Sequence, residues 1–194
     1  MIVDRDALRR ELRQRRRAVP PAQRLQAAEA VAERLHALPF MPTQGYVAGY
    51  WAMDGELALH VWQLRLPPGL VYCLPVLHDD GRLRFAPWRA GDPLVTNRYG
   101  IPEPDLGPEA CLEAGAIALA VLPLVAFDRS GQRLGMGAGW YDRTFAQRRD
   151  SAGPPWLAGV AYSFQEAERL DARSWDVPLD AVCTEADTLI PVTA

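Results

Sequence analysis

The 194-residue sequence contains no lysine, so all 21 of its basic residues are arginine. Without lysine the chain has no Walker A cation, no Schiff-base amine and no anchor for pyridoxal phosphate. Arginine remains suited to bidentate binding of phosphate wherever a cation is needed. The net charge of −3 gives no general reason to expect binding to nucleic acid.

Cysteine and histidine are also scarce. The three cysteines, Cys73, Cys111 and Cys183, are odd in number and widely spaced, without a CxxC or Cys/His pattern. This spacing argues against disulfides and structural zinc, and it predicts packing roles instead. The three histidines form neither a metal-binding nor a triad pattern, so exposed or structural roles are predicted for them.

Long apolar runs are absent too. No stretch reaches the ~20 apolar residues of a membrane span, and the arginine-rich amino terminus lacks the apolar segment of a signal peptide. We therefore expect a cytoplasmic protein without membrane contacts. The length and the apolar fraction of 49% predict one domain over residues 1–194 with a well-formed core.

Two helices are predicted near the amino terminus. Residues 4–17 form a basic stretch in which Asp4 can cap the helix, while Leu8 and Leu12 share one apolar edge. Residues 21–38 repeat apolar side chains at helical spacing, with a proline suited to the first turn.

Short apolar runs further along the chain predict strands at residues 45–51, 70–74, 82–87, 116–122, 157–162, 181–184 and 187–190. Helical patterns separate several of them, at residues 56–66, 139–149 and 165–170. This alternation favours a single three-layer α/β domain, in which helices cover both faces of a mainly parallel sheet. Residues 89–109 are rich in proline and glycine and predict a long loop, a feature that is often functional.

The most informative stretch is residues 121–143. After an apolar strand and before a helical pattern come three glycines at alternate positions, Gly135, Gly137 and Gly139. Glycines let backbone N–H groups approach a ligand closely, and a helix start attracts an anion. Arg133 can contact phosphate oxygens, and Asp142 can hold Mg²⁺ directly or through water. These features predict a phosphate site over residues 133–139.

Two other interpretations of this glycine pattern exist. A tight strand-to-helix turn without any ligand would need the same residues. A Rossmann dinucleotide site is disfavoured, because its motif belongs to the first βαβ unit and is followed by an acidic residue at the end of the next strand. Here the motif comes late in the chain, and Tyr162 ends the next apolar run.

The same residues resemble a known family. Residues 122–143 match the segment LPGVAFDxxGxRLGxGxGYYDR of the 5-formyltetrahydrofolate cyclo-ligases almost throughout. The helix over residues 8–15, the segment Met53-Asp-Gly-Glu56 and the segment Tyr99-Gly-Ile-Pro-Glu-Pro104 are similar to further family segments, in the same order. The resemblance implies an α/β fold similar to the ribose-5-phosphate isomerase and CoA-transferase group.

For ATP, the resemblance implies phosphate contacts from two basic residues of the first helix, which match Arg5 and Arg9. It further implies contacts from the glycine-rich loop and its flanks: Arg133, Leu134, Gly135, Met136, Gly137, Ala138, Gly139, Trp140 and Tyr141. Without the resemblance, the basic helix would be interpreted as a solvated face, or as one that attracts nucleic acid.

For the reduced folate, the resemblance implies contacts from Trp51, Met53, Glu56, Tyr99, Gly135, Gly137, Gly139, Trp140 and Tyr141. The Glu56 carboxylate would accept hydrogen bonds from pterin N–H groups, and the aromatic residues would provide flat walls. The alternatives without a ligand are, for Glu56, a surface glutamate at a helix start and, for Tyr99, an aromatic residue packed under a loop.

The implied metal ligands for Mg²⁺ are Asp142 and Asp180, although a turn-forming role is the common alternative for an aspartate such as Asp180. The implied reaction is cyclisation of 5-formyltetrahydrofolate to 5,10-methenyltetrahydrofolate, in which ATP phosphorylates the formyl oxygen and ADP and phosphate are released. Arg133 and Asp142 would support the transition state, and no protein nucleophile is required. We expect small-molecule substrates only and a monomeric protein.

Four positions depart from the usual family pattern: Arg5, Ala58, Leu59 and Trp140. These departures motivate a first rival, a non-catalytic or repurposed paralogue that binds nucleotide or folate. A second rival is a sugar-phosphate isomerase or CoA transferase of the same broad fold. A third is a nucleic-acid-binding protein that uses the basic helix.

Overall fold

A seven-stranded sheet forms the centre of the structure, which is a computed structural model that describes residues 4–191. In chain order the strands are β1 (Gly45–Ala48), β2 (Leu70–Leu77), β3 (Leu83–Pro87), β4 (Leu94–Thr96), β5 (Pro102–Pro104), β6 (Ile117–Pro123), β7 (Ala126–Phe127), β8 (Arg133–Leu134), β9 (Trp156–Val160), β10 (Ala181–Cys183) and β11 (Thr188–Leu189). The central sheet has the order β11-β10-β9-β6-β1-β2-β3. Strand β4 pairs with β5, and β7 pairs with β8, in two small antiparallel ribbons.

The five inner strands run parallel, and only the edge strands β3 and β11 pair antiparallel with their neighbours. This arrangement confirms the predicted mainly parallel sheet. Inner strands have buried side chains on both faces, which explains why they are continuous apolar runs in the sequence rather than alternating ones.

Helices cover both faces of this sheet. In chain order they are α1 (Arg5–Arg17), α2 (Pro21–His36), α3 (His60–Leu64) and α4 (Trp140–Thr144). Helices α2 and α3 share one apolar cluster with one face of the sheet, whereas Trp140 and Tyr141 of α4 pack against the buried residues of the other face. None of the helices within residues 4–191 is long and apolar enough to cross a membrane.

Helix α1 packs over the β7–β8 ribbon, away from the main clusters. Its first turn is capped as predicted, because the Asp4 carboxylate accepts hydrogen bonds from the N–H groups of Asp6 and Ala7. Leu12 is buried in a small cluster with Leu134 and other residues of the ribbon and its flanks. This packing places the arginines of α1 next to the chain that leaves β8.

Two of the predicted helices are shorter than expected. In residues 56–66 only α3 is helical, because the preceding backbone is held by tertiary contacts, including a hydrogen bond from the Tyr50 hydroxyl to the Leu57 carbonyl. In residues 139–149 only the five residues of α4 are α-helical, and a 3₁₀ turn at Ala146–Arg149 follows them.

The prediction of a helix at residues 165–170 is wrong. A 3₁₀ turn at Ser163–Gln165 ends before it, and the following backbone bonds to another part of the chain instead of to itself. The Ala167 N–H, for example, donates to the Phe127 carbonyl at 2.7 Å. Tertiary hydrogen bonds therefore replace the helical ones here.

The predicted loop at residues 89–109 contains the β4–β5 hairpin and is more ordered than the sequence indicates. The Asn97 side chain organises the hairpin tip by accepting hydrogen bonds from the N–H groups of Tyr99 and Ile101. It also donates to Glu103, which anchors the hairpin to the N–H of Leu77 on β2. The tip therefore presents Tyr99 in a defined position.

Gly49, which follows β1, lies directly against the Tyr72 hydroxyl. A β-carbon at this position would overlap that oxygen, so Tyr72 would have to move away from its edge-on contact with Trp62. We expect Gly49→Ala to destabilise the protein by about 1–3 kcal/mol, as overpacking of a core does. Urea unfolding measures the loss, and Gly115→Ala is the control because its β-carbon would meet no atom within 4 Å. Equal stability of the two variants would contradict this packing.

Candidate active site

The glycine-rich loop between β8 and α4 is open to solvent over residues 135–138. Gly137 and Gly139 have φ angles of 100° and 70°, a region that favours glycine. A β-carbon on Gly135 would meet nothing within 4 Å, so there is free space above the backbone. The loop is therefore accessible to a ligand, while its contact with phosphate remains a prediction.

The helix that follows this loop contributes less than the sequence predicts. Helix α4 has five residues, whereas the sequence pattern predicts a helix over 139–149 that directs its positive end at an anion. A single short turn carries only a small part of a helix dipole. Any phosphate affinity of the loop has to come mainly from its backbone N–H groups and from nearby arginines.

Arg9 of α1 contacts the loop backbone directly. Its Nε donates to the Gly135 carbonyl at 2.9 Å, and a β-carbon on Gly137 would lie 3.7 Å from its guanidinium carbon. Asp6, one helical turn earlier, holds the other side of the guanidinium through a 2.6 Å ion pair. Arg9 is thus positioned at the open loop, as the family resemblance implies.

Arg5 lies one turn earlier on α1 and contacts a different segment. Its Nη2 donates to the Asp171 carbonyl at 2.6 Å and lies 3.3 Å from the Asp176 carboxylate. The segment from Asp171 to Val177 therefore forms a second wall beside the glycine-rich loop. Arg5, one of the four departures from the family pattern, is therefore engaged by this wall.

Arg133 and Asp142 form an ion pair beneath the loop. The guanidinium is buried, with 7% of the side chain exposed, and its Nη2 lies 2.6 Å from Asp142 Oδ1. Arg133 also donates to the Val177 carbonyl, and the Val177 N–H donates to the same Asp142 oxygen at 3.2 Å. The two side chains therefore join the loop, α4 and the 171–177 wall, instead of standing free as a phosphate clamp and a metal ligand.

Asp180 lies in a different part of the molecule. It immediately precedes β10, and its carboxylate accepts a hydrogen bond from the Leu157 N–H at the start of β9, so it is at the amino edge of the parallel strands. Arg148 contacts both of its oxygens, at 2.7 and 2.8 Å. The glycine-rich loop, in contrast, follows the carboxyl end of β6 through the β7–β8 ribbon.

These contacts test whether the residues fit a protein-held Mg²⁺ ion. Asp142 and Asp180 each pair with their own arginine, and no group of three or more potential ligands occurs among residues 4–191. Magnesium prefers several oxygen ligands in an octahedral arrangement. The two carboxylates as arranged here do not fit a shared metal site.

Glu56 occupies the turn that follows β1, on the side expected for the folate. Its Oε2 accepts a hydrogen bond from the Met53 N–H at 2.9 Å, and its Oε1 lies 3.6 Å from Arg16 Nη1. Burial raises the pKa of Glu56, while the Met53 hydrogen bond and the Arg16 charge oppose this change. The side chain is a partly enclosed acceptor rather than a surface glutamate.

Tyr141 lies in the first turn of α4, directly after the glycine-rich loop. It comes two residues after Gly139, and its ring stacks at 6.4 Å on Phe145. Burial raises the pKa of Tyr141, the charge of Glu56 raises it further, and Arg133 lowers it. The Tyr141 ring is thus partly buried at the start of α4, where it packs against the core cluster on this face of the sheet.

The remaining predicted aromatic residues form the outer part of the site. Trp140 donates from Nε1 to the Tyr99 hydroxyl at 3.4 Å, with the two rings edge to face and 6.3 Å apart. Arg98 and Arg143 lie over the Trp140 ring at 5.4 and 5.2 Å. Tyr99 is 53% exposed at the tip of the β4–β5 hairpin, so it is not packed under a loop.

Two other predicted folate contacts, Trp51 and Met53, lie in the segment after β1. The Trp51 ring meets Trp88 edge-on at 5.7 Å, and Met53 is partly exposed next to Glu56. Two predicted ATP contacts differ in exposure. Leu134 is buried in the cluster under α1, whereas Met136 is exposed on the loop. The Ala138 carbonyl accepts a hydrogen bond from Arg143.

Sequence reasoning missed a cluster of charges behind this site. Asp54 pairs with three arginines from the second half of α1: Arg13, Arg16 and Arg17. Burial alone would raise the pKa of Asp54, but hydrogen bonds from Arg13 and Arg17 lower it below its usual value. The available signal was the Asp-Gly pair inside the Met53–Glu56 motif, which otherwise is typical of a plain turn.

The fold and the site together define an α/β protein in which an open glycine loop, arginines of the first helix and a partly buried glutamate meet beside an aromatic wall. The model of the 5-formyltetrahydrofolate cyclo-ligase family matches residues 1–185. The chain belongs to this family, which confirms the resemblance in the sequence and disfavours the isomerase and transferase rivals.

Individual relatives agree with the family match. The 5-formyltetrahydrofolate cyclo-ligase of Escherichia coli (strain K12) is 39% identical over 177 residues, which are 89% of this chain and 96% of that protein. The protein of the same name from Haemophilus influenzae is 35% identical over 181 residues, 90% of this chain and 94% of that one. The NMR structure of Aquifex aeolicus 5,10-methenyltetrahydrofolate synthetase superposes with a TM-score of 0.81 at 28% identity, covering 99% of this chain and 95% of that one.

Proposed function

We propose that this protein catalyses the ATP-dependent cyclisation of 5-formyltetrahydrofolate to 5,10-methenyltetrahydrofolate, with release of ADP and phosphate. The observation that carries the proposal is that one helix, α1, contacts both sides of the site: Arg9 donates to the Gly135 carbonyl of the open loop at 2.9 Å, and Arg16 lies 3.6 Å from the Glu56 carboxylate. A phosphate on the loop and a pterin on Glu56 would then be neighbours. The family membership supports the same pair of substrates.

The chemistry requires a new leaving group. A formamide oxygen departs poorly, so the γ-phosphoryl group of ATP is transferred to it, which forms the O–P bond and releases ADP. Nitrogen N10 then attacks the activated formyl carbon and loses its proton, and the C–O bond breaks to release phosphate with that oxygen. No protein nucleophile takes part, so the protein acts by alignment and by neutralisation of phosphate charge.

The described residues supply these two tasks. Arg9 and the backbone N–H groups of residues 135–139 would hold the phosphates, and Arg5 would keep the 171–177 wall against them. Arg133 would stabilise the transferred charge from beneath the loop, held in place by Asp142. On the other side, Glu56 would accept hydrogen bonds from pterin N–H groups.

Magnesium enters this proposal as the ion that accompanies the ATP phosphates. When bound there, it would neutralise negative charge on the phosphate oxygens. The pairing of Asp142 with Arg133 and of Asp180 with Arg148 favours phosphate oxygens over protein carboxylates as its main ligands. We further expect a monomer that works in the cytoplasm.

The direct test is an assay with the purified protein, 5-formyltetrahydrofolate and MgATP. We expect methenyl absorbance to rise with one phosphate released per methenyl product formed, and neither signal without ATP. Binding of both ligands without turnover would contradict the proposal and would favour a repurposed paralogue.

Glu56→Gln is expected to raise KM for the folate about tenfold, because the variant loses hydrogen bonds to a charged acceptor. Nucleotide binding measured without folate should stay nearly unchanged, because Glu56 does not contact the glycine-rich loop directly. The pKa of Glu56 is raised, so the wild-type carboxylate takes up a proton at a higher pH than an ordinary glutamate does. Folate use should therefore fall as the pH decreases and this carboxylate becomes protonated.

The matched comparison for this prediction is Glu113→Gln, a glutamate with 80% of its side chain exposed and a 3.6 Å contact to Arg84. Its kinetics should equal those of the wild type. In Glu56→Gln the acidic limb of the folate profile should disappear, since glutamine does not titrate. An equal loss of affinity for folate alone and for nucleotide alone would refute the assignment of Glu56 to the pterin.

A further inference from the structure

The second half of α1 is attached to the folate side of the site through one carboxylate. Arg13 Nε lies 2.7 Å and Arg16 Nη2 lies 3.0 Å from Asp54 Oδ2, while Arg17 Nη1 lies 2.9 Å from Oδ1. Charge-assisted hydrogen bonds of this length are among the stronger polar contacts in proteins. Three cations on one carboxylate make this the densest ion-pair cluster within residues 4–191.

Arg16 carries the connection from Asp54 to Glu56. The side chain is 1% exposed, and it donates to the Asp54 carbonyl at 3.0 Å and to the Leu124 carbonyl at 3.1 Å. Its guanidinium also lies 3.6 Å from Glu56 Oε1. Every movement of Arg16 would therefore change the surroundings of the proposed pterin acceptor.

The backbone between Asp54 and Glu56 is held in an unusual conformation against α1. Asp54 has a φ of 52°, the one positive φ among the non-glycine residues that the structure describes, and Gly55 has a φ of 76°. A β-carbon on Gly55 would lie 2.8 Å from the Arg16 carbonyl. The turn is thus seated directly on the helix backbone, and its ion pairs compensate the cost of the left-handed conformation.

The first half of the same helix contacts the nucleotide side. Arg9 donates to the Gly135 carbonyl, and Arg5 holds the segment that includes Asp171 and Asp176. The helix has 13 residues, which makes it about 20 Å long at ~1.5 Å per residue. One rigid element therefore touches the glycine-rich loop with one half and the Glu56 turn with the other.

We propose that Asp54 is a positioning residue that makes folate and nucleotide binding cooperative, because it attaches α1 to the Glu56 turn. This inference rests on the proposed function. When ATP binds, its contacts with Arg9 and the glycine-rich loop hold α1 in one position. Because the arginines of α1 pair with Asp54, the turn that contains Glu56 is then held in its folate-binding position as well. Binding of the folate has the reciprocal effect on ATP, since coupling between two sites is mutual.

The test compares ligand affinities of the wild type and of Asp54→Asn. Asparagine adopts left-handed backbone as readily as aspartate does, so the variant keeps the turn and removes the negative charge. Calorimetry gives Kd for 5-formyltetrahydrofolate with and without the non-hydrolysable analogue AMP-PNP. In the wild type we expect AMP-PNP to tighten folate binding at least about fivefold, and in Asp54→Asn we expect this effect to vanish.

Two further variants separate positioning from stability. Arg13→Gln removes one partner of Asp54 without burying an unpaired charge, because Arg13 is partly exposed, and it should reduce the cooperativity as well. Glu11→Gln removes an exposed pair with Arg15 on the same helix and should leave the cooperativity intact. If removing any ion pair of α1 were enough to reduce the cooperativity, Glu11→Gln would reduce it as well.

The outcomes also distinguish this inference from the proposed function. Wild-type protein that binds both ligands independently, or Asp54→Asn protein that retains the cooperativity, overturns the coupling role and leaves the cyclisation proposal standing. Failure of the wild type to bind either ligand overturns both. Binding with cooperativity that Asp54→Asn and Arg13→Gln lose, and Glu11→Gln keeps, supports the coupling role.

Discussion

Gly137→Ala is expected to lower kcat/KM for ATP about 100- to 1000-fold, the range seen when one preorganised backbone donor is lost from a catalytic site. The φ of Gly137 is 100°, and alanine at this angle is strained, so the loop would relax and turn its N–H groups away from the phosphates. The new methyl group would also face Arg9, at 3.7 Å from the guanidinium carbon. Steady-state kinetics with varied ATP measure the effect.

Gly91→Ala is the matched control for this prediction. Gly91 has a φ of 102° on a separate turn, and a β-carbon there would meet no atom within 4 Å. Both variants should lose stability by a similar amount, about 1–3 kcal/mol for one strained residue, and only Gly137→Ala should lose ATP use. Normal ATP kinetics in Gly137→Ala would show that the loop does not bind phosphate.

Asp142→Asn is expected to lower kcat/KM for ATP about 10- to 100-fold, because small displacements of a catalytic group cost this much. Asp142 pairs with the buried Arg133 guanidinium at 2.6 Å and also accepts a hydrogen bond from the Val177 N–H. The neutral amide holds Arg133 more weakly, and the stability loss should be about 1–3 kcal/mol. The magnesium requirement at saturating ATP should not change, because Asp142 acts through Arg133.

Asp180→Asn provides the comparison for Asp142→Asn. It weakens a similar ion pair, between Asp180 and Arg148, at the amino edge of the sheet. We expect a similar loss of stability with ATP kinetics like those of the wild type. A raised magnesium requirement in either variant, with activity restored by excess magnesium, would show instead that the carboxylate is a metal ligand.

The fold was predictable where local signals agree. The inner strands are continuous apolar runs because both of their faces are buried, and the Asp4 cap marks the start of α1 by a local hydrogen-bond pattern. Short segments such as residues 165–170 were not predictable. Their backbone groups are satisfied by distant parts of the chain, and no local pattern reports such contacts.

The site was predictable to a similar degree. Glycine spacing and the family resemblance located the open loop and placed Arg9 beside it. The resemblance could not show that Arg133 and Asp142 pair with each other, because their separation of nine positions does not determine which way either side chain points. The role of Asp54 was hidden for another reason: an Asp-Gly pair has the same appearance whether it forms an ordinary turn or receives three arginines.

Transfer of the formyl oxygen to phosphate is the central step of the proposed reaction, and it can be followed directly with an isotope. The protein is incubated with 5-formyltetrahydrofolate that carries ¹⁸O in the formyl group, together with MgATP, and the released phosphate is analysed by mass spectrometry. We predict one ¹⁸O atom in each phosphate released, at the rate at which methenyl product forms. Methenyl product accompanied by unlabelled phosphate would contradict phosphorylation of the formyl oxygen.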